Sequence, residues 1–304
     1  MCCFNNGAIL LSYNNCPAKP KGIIVTKAVN FVLLFTLCSL MFKVHATNLV
    51  VESFNIRYDN PADAPNAWPD RQQLVYAHLN TLQPDVLGLQ EVLHHQLNWL
   101  SEQLPDYDYI GVGRDDGVTA GEFVPLFYNK NTLTKLDGGN FWLSETPQIA
   151  GSIGWQAHLP RVASWGHFEK NGSDFFVFNV HFSHVSDVAR QKSAAFLLTH
   201  IPAIAGSKPV ILLGDFNMLH NSAAYKTLTT GPLLPLTDTA ILANAEGVGT
   251  YNGFAAGERE RIDYIFISKG LRSSSYRTYQ LSVGGVYISD HFPISTVISL
   301  PSKS

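Results

Sequence analysis

The sequence predicts one large α/β or α+β domain behind a short N-terminal leader. Three observations carry that expectation. Short apolar runs rich in β-branched and aromatic residues recur along the chain, bounded by turn residues. Amphipathic helical patterns lie between some of them. From residue 48 onward no long linker, low-complexity tract or internal repeat marks the start of a second domain. With 46% hydrophobic and 15% charged residues, 18 Phe, 12 Tyr and 5 Trp, the 304-residue chain can bury a large core. That excludes a disordered, collagen-like or coiled-coil protein.

The leader is the first element. Residues 1–46 hold Lys19, Lys21, Lys27 and Lys43 and no acidic residue. The apolar stretch Val29–Phe42 follows lysines and runs into Val44-His45-Ala46, small residues at the −3 and −1 positions of a signal-peptidase site. About fourteen apolar residues are too few to span a membrane, which takes roughly 20. The expectation is an export signal over 1–46, cleaved near Ala46, and a secreted or periplasmic domain over 47–304. All four cysteines (Cys2, Cys3, Cys16 and Cys38) fall inside the leader. A disulfide scaffold, a zinc–thiolate site and a cysteine nucleophile are thereby excluded from the rest of the chain.

Within 47–304, strands are predicted at Leu49–Ile56, Val86–Leu89, Phe123–Tyr128, Phe175–Val180, Val210–Leu213, Ile262–Ile267 and Ile294–Ile298. Helix patterns fill three of the gaps. Gln72–Leu82 places Leu74, Ala77, His78 and Leu82 on one face and stops before Pro84. His94–Leu104 places Leu97, Leu100 and Leu104 and stops before Pro105. Val188–Ile201 places Ala195, Leu198 and Ile201.

The polar residues that end or adjoin the apolar runs carry the chemistry. The first run ends in Asn55, the second in Gln90-Glu91, and the fourth in His181. Val210–Leu213 leads into Gly214-Asp215-Phe216-Asn217. Asp263 sits inside the Ile262–Ile267 run, and Ser289-Asp290-His291 precedes the last strand. Each polar residue alone reads as a turn residue, a cap or a satisfied core histidine. Together they are costly to place beside apolar strands unless something pairs with them. Oxygen and imidazole donors without thiolate point to a hard divalent ion such as Mg²⁺ or Mn²⁺.

The ordered segments FNIR (54–57), LQE (89–91), FNVHF (178–182), GDFN (214–217), RIDYIF (261–266) and SDHFP (289–293) resemble the endonuclease/exonuclease/phosphatase superfamily, over roughly Asn48 to Leu300. FWLSETP (141–147) resembles a secreted or bacterial subgroup of it. The resemblance implies a four-layer α/β sandwich, two mainly antiparallel sheets flanked by helices, with the site at one edge. It implies a Mg²⁺- or Mn²⁺-dependent phosphoester hydrolase in which Asn55 and Glu91 bind the ion with Asp290 nearby. Asp215 and Asn217 would orient or deprotonate the attacking water. His291 would contact the scissile phosphate with Asp263 on its other ring nitrogen, and His181 would be a second donor. Glu122, in GEFVPLFY (121–128), would pair with His181, and Arg161, in LPRVASW (159–165), would contact phosphate through its fork of donors.

Other residues are assigned smaller parts. His184 edges the pocket or lies in a loop. His94-His95 reads as surface or support. Arg57, Asp59 and Trp68 fall near Asn55 and within reach of substrate. Asp115-Asp116-Gly117 reads as a turn, and Asn171-Gly172-Ser173 as a glycosylation sequon in a hairpin.

The substrate is the open question. Removing the four leader lysines leaves 17 basic against 24 acidic residues, a net charge of −7. That is too acidic for the basic face of a tight duplex binder, and Arg259, Arg261 and Lys269 form the only local cluster. The first expectation is a phosphodiesterase of nuclease type and the second a lipid or small-molecule phosphoesterase; a non-catalytic binding module is the alternative of another class. The partner expected is the phosphoester substrate alone, with the protein a monomer.

Overall fold

A computed structural model describes residues 47–245, 247–255 and 260–301. The predicted export signal over 1–46, and Arg259, lie outside the described residues. In chain order the elements are β1 (Thr47–Asn55), α1 (Trp68–Leu82), β2 (Val86–Gln90), α2 (His94–Gln103), β3 (Tyr107–Ile110), β4 (Leu126–Asn129) and β5 (Thr134–Trp142). There follow β6 (Val162–Lys170), β7 (Ser173–His181), α3 (Asp187–Ala205), β8 (Val210–Asp215), α4 (Ala223–Thr230), β9 (Leu236–Asp238) and α5 (Thr239–Leu242). The chain closes with β10 (Asp263–Ser268), β11 (Arg272–Thr278), β12 (Ser282–Val283), β13 (Val286–Tyr287) and β14 (Ile294–Leu300).

Two six-stranded sheets face each other, ordered β11-β14-β1-β2-β4-β3 and β5-β6-β7-β8-β10-β9. Each is antiparallel except for one parallel pair near its middle, β1 with β2 and β7 with β8. Three apolar clusters show the layering. Leu49, Val51, Val86, Val177, Ile211, Leu213, Ile265 and Ile294 pack between the sheets. Phe54, Leu87 and Leu89 meet Val75, Leu79, Leu97 and Leu100 of α1 and α2 on one outer face. Phe178, Leu212 and Phe266 meet Leu197, Ile201 and Leu228 of α3 and α4 on the other. The four-layer sandwich with mainly antiparallel sheets is therefore present.

Side-chain alternation along a strand positions the site. In β1, Leu49 and Val51 point between the sheets, and in phase with them comes Asn55. In β7, Phe175 and Val177 lead in phase to Asn179 and His181. In β8, Ile211 and Leu213 lead to Asp215, and in β10, Ile265 and Ile267 are in phase with Asp263. The polar ends are the last inward positions of strands whose earlier inward positions are apolar.

At Gly88 the opposite sheet leaves room for glycine alone. A Cβ on Gly88 would lie 2.1 Å from Leu213 Cδ1 and 2.9 Å from Asn179 Cγ. Beside it a buried amide pair bridges the sheets. Gln90 Nε2 donates to Asn179 Oδ1 (2.7 Å), and Asn179 Nδ2 donates to Leu89 O and Pro125 O (both 2.9 Å). Gly214 serves a close approach within one sheet, between β8 and β7, with φ +146° and a Cβ position 2.0 Å from Val180 O.

The predicted helices exist, but two of their faces are rotated. Ala77 and Ala195 are exposed, and the buried sets are Arg71, Val75, His78 and Leu79 in α1 and Ala194, Leu197, Leu198 and Ile201 in α3. Among the described residues, no helix is long and apolar enough to cross a membrane.

Candidate active site

Strand direction gathers the polar ends at one edge. Parallel strands β1 and β2 finish there at Asn55 and Gln90, and β7 and β8 finish there at His181 and Asp215. The antiparallel β10 starts at the same edge, with Asp263 opposite Asp215. Asp290 and His291 precede β14, which runs antiparallel to β1. Glu91 follows β2 in a left-handed conformation (φ 61°) that turns its side chain into the cluster.

Asp215 is the hub. It is 1% exposed, accepts from Asn55 Nδ2 (2.9 Å) and from the Asn217 backbone N–H (2.9 Å), and lies 3.4 Å from His181 Nε2 and 3.8 Å from His291 Nε2. Burial, then the neighbouring Asp263 carboxylate, push Asp215 up to about 7. His291 Nδ1 donates to Asp263 Oδ2 (2.9 Å), the pairing that the family resemblance implies. Burial alone would depress that imidazole, but Asp263 and Asp215 outweigh it and hold it well above the ordinary histidine range. His181 goes the other way: burial, then Arg161 and Arg114, push it well below that range. The two histidines are thus set apart, one cationic between two carboxylates and one neutral beside two arginines.

On the His181 side the arrangement departs from expectation. Glu122 Oε2 lies 4.0 Å from His181 Nδ1, too far for a hydrogen bond, and accepts instead from Arg114 Nη1 (2.7 Å). Arg161 is buried, not a surface ion-pair residue. Its Nη2 lies 2.9 Å from His184 Nδ1, and its Nε and Nη1 are buried without a partner. Both arginines are braced by FWLSETP: Trp142 Nε1 donates to Arg114 O and the Leu143 N–H to Arg161 O (both 2.7 Å). One pocket of about 580 Å³ is lined by Glu91, Asp215, Asp290 and His291 together with Arg161 and His184.

Comparison with known proteins decides the family. The Endonuclease/Exonuclease/phosphatase family matches residues 53–291. The chain belongs to that family. It is a family of phosphoester hydrolases. An endonuclease/exonuclease/phosphatase from Bacteroides vulgatus superposes with a TM-score of 0.80 at 39% identity, over 84% of this chain and 99% of that one. A mannosyl-6-phosphatase from Bacteroides thetaiotaomicron does so with a TM-score of 0.75 at 34% identity, over 83% of this chain and 100% of that one. An uncharacterized protein of Acanthamoeba polyphaga mimivirus is 28% identical over 247 residues, 75% of this chain and 90% of its own.

For a member of this family the donor set fits a hard divalent cation. Glu91, His181 and Asp215 offer ligand atoms within 4.8 Å of one another, and Asp290 adds a carboxylate to the same pocket. Asn55 presents its amide nitrogen to the carboxylates, donating to Glu91 Oε1 (3.1 Å) as well as to Asp215. Its Oδ1 accepts from the Arg57 backbone N–H (3.0 Å). In this arrangement Asn55 clips two carboxylates together. Asn217 (φ 49°) holds the loop after β8 by donating from Nδ2 to Phe182 O (3.2 Å).

Several residues that shape the site are absent from the sequence-level set. Arg71, 0% exposed on α1, donates to the backbone carbonyls of Ile56, Arg57 (2.7 Å), Asn66 (2.9 Å) and Ile288 (3.1 Å). It ties the loop after Asn55 to the segment before Asp290. Thr250 Oγ1 accepts from the Ile262 and Asp263 N–H groups, and Asn252 Nδ2 donates to Ser289 O. Buried Arg71 stands one residue before the predicted helix, so a charged residue at an i−4 position to Val75 was the signal available.

Other expectations resolve simply. Trp68 is core, 3% exposed and edge-on to Trp99, and does not line the pocket. Asp59 pairs with His95 (3.0 Å), and His94 stacks on Phe123. Asp116 caps its own turn through the Val118 and Ala120 N–H groups. Asn171-Gly172 forms the hairpin turn between β6 and β7. Arg261 is buried against Asp238 (2.7 Å), which removes it from any basic surface cluster.

Proposed function

We propose that the protein is a divalent-metal-dependent hydrolase of a compact phosphoester, with phosphomonoesters of small polar molecules as its substrate class. The observation that carries this is a pocket lined by both the carboxylate cluster and Arg161, whose guanidinium keeps two nitrogens, Nε and Nη1, without a hydrogen-bond partner. Phosphoryl oxygens suit such an arginine, and a small polar leaving group suits a pocket of about 580 Å³. The mannosyl-6-phosphatase at 34% identity supports the small-molecule reading over the nuclease one, as does the acidic charge of residues 47–304.

Bound to Glu91 and Asp290, with His181 and Asp215 adjacent, the ion would polarise the phosphoryl group and offset its charge. Asp215, near 7, takes a proton from the attacking water. The water oxygen forms the new P–O bond as the bond to the ester oxygen breaks; the departing oxygen takes up, through solvent, the proton that Asp215 gives back, so that an alcohol and phosphate are released. His291, held cationic by Asp263, faces the developing phosphoryl charge, while Arg161 and neutral His181 orient the other oxygens.

The test is a turnover panel with Mg²⁺ or Mn²⁺: hexose 6-phosphates and 4-nitrophenyl phosphate, bis-(4-nitrophenyl) phosphate, DNA, RNA and sphingomyelin. Monoester turnover that EDTA stops and Mn²⁺ restores is expected. Turnover of diesters or nucleic acid without monoesters would return the reading to the phosphodiesterase that the sequence favours, and EDTA-insensitive turnover would remove the metal from it.

A further inference from the structure

Arg57, the last residue of FNIR, takes no part in the mechanism above. Its guanidinium lies between the proposed metal ligands, with Nη1 3.9 Å from Glu91 Oε2 and Nε 3.7 Å from Asp290 Oδ2. It is held there from behind. Asp63 takes Nε at 2.9 Å and Nη2 at 3.2 Å, in the side-on geometry of a two-point arginine–carboxylate pair. Asn60 Nδ2 in turn donates to Asp63 Oδ1 (3.1 Å). The group is 22% exposed and lines the pocket, so its charge is only partly screened by water.

The main chain of Arg57 is fixed independently of its side chain. Its N–H donates to Asn55 Oδ1, and its carbonyl accepts from Arg71 and from Gln96 Nε2 (3.1 Å). A change of side chain at position 57 therefore alters charge at the site without releasing the loop.

We infer that Arg57 is a built-in counter-cation, tethered by Asp63, that competes with the divalent ion for Glu91 and Asp290 and sets its affinity. The inference rests on the metal-dependent reading above. Like charges about 4 Å from shared carboxylates oppose each other even at high effective dielectric. The tether keeps part of the guanidinium charge on Asp63, so the ion is weakened but not excluded. The residue thereby selects for a loosely held, exchangeable ion over a permanently bound one.

Mn²⁺ binding to the full-chain protein, read by isothermal titration and by loss of the free-ion paramagnetic resonance signal, tests this without reference to turnover. Arg57→Met should bind Mn²⁺ about tenfold more tightly than the wild type, equivalent to about 1.4 kcal/mol. Arg57→Lys should stay nearer the wild type. Asp63→Asn, which hands the whole guanidinium charge to Glu91 and Asp290, should bind more weakly. Structural damage would weaken binding in all three, so the opposed signs are the signature. Weaker or unchanged binding in Arg57→Met overturns the inference. Glu91→Gln separates the two levels. If it leaves Mn²⁺ affinity intact, the metal site itself is wrong. If it abolishes binding while Arg57→Met has no effect, only the role of Arg57 fails.

Discussion

Replacing Asp215 with asparagine should inactivate the protein and, above neutral pH, stabilise it. Asp215 is 1% exposed, and burial with Asp263 raises it from 3.8 to about 7. An acid raised on folding destabilises the folded state only at pH values where the same acid is ionised in the unfolded chain. The penalty is absent below pH 4, grows as the pH rises towards 7, and is constant above that. At 1.36 kcal/mol per pH unit the full displacement corresponds to about 4 kcal/mol. Asparagine carries no such penalty, but it places an amide among donors: Asn55 Nδ2 or the Asn217 N–H loses its acceptor, at about 1–2 kcal/mol. The net gain is about 2 kcal/mol at pH 8, or roughly 4–8 °C in a domain of this size. Thermal unfolding in EDTA at pH 4.5 and pH 8 measures it, because bound metal would favour the ionised wild type. Activity should fall about 10³-fold with loss of the base. An Asp215→Asn variant less stable than wild type at pH 8, or stabilised equally at both pH values, would refute the placement of a strained buried carboxylate at the hub.

Two further outcomes rest on particular contacts. Arg161→Met removes the guanidinium that lines the pocket and whose Nε and Nη1 lack partners. It should weaken inhibition by inorganic phosphate about 10- to 100-fold while thermal stability holds or rises, since a buried cation already opposed by Arg114 is removed; unchanged phosphate inhibition would take Arg161 out of the substrate pocket. Gly88→Ala drives a methyl into Leu213 and the Asn179 amide. It should destabilise by about 2–4 kcal/mol from overpacking and strained inter-sheet hydrogen bonds, measured by urea unfolding, and a loss under about 0.5 kcal/mol would show that the sheets can part there.

Much of the fold was legible because most predicted strands are apolar on both faces. Strands such as β7, β8 and β10 are buried by helices on one side and the opposite sheet on the other, so they read as continuous apolar runs. Strands β5 and β11 were missed for the converse reason. Thr134-Lys135-Leu136-Asp137-Gly138 and Arg272-Ser273-Ser274-Ser275 are largely exposed at sheet margins and carry no apolar signal. The rotated faces of α1 and α3 have a specific cause as well. Arg71 and Ala194 are buried by contacts that hydrophobic periodicity does not weigh, one by backbone carbonyls and one by close helix–sheet packing.

The chain by itself determined which polar residues close each strand. Local chemistry of that kind is written in adjacent residues. The face on which Asn55, His181, Asp215 and Asp263 fall was decided by which side of each doubly apolar strand the opposite sheet covers. What the tertiary structure decided is how those residues share charge. That Glu122 serves Arg114 rather than His181, that Asn55 clips carboxylates, and that Arg57 stands between Glu91 and Asp290 depend on separations fixed by strand order and loop path. Electrostatic energy varies with distance and burial, and neither is encoded at any single position.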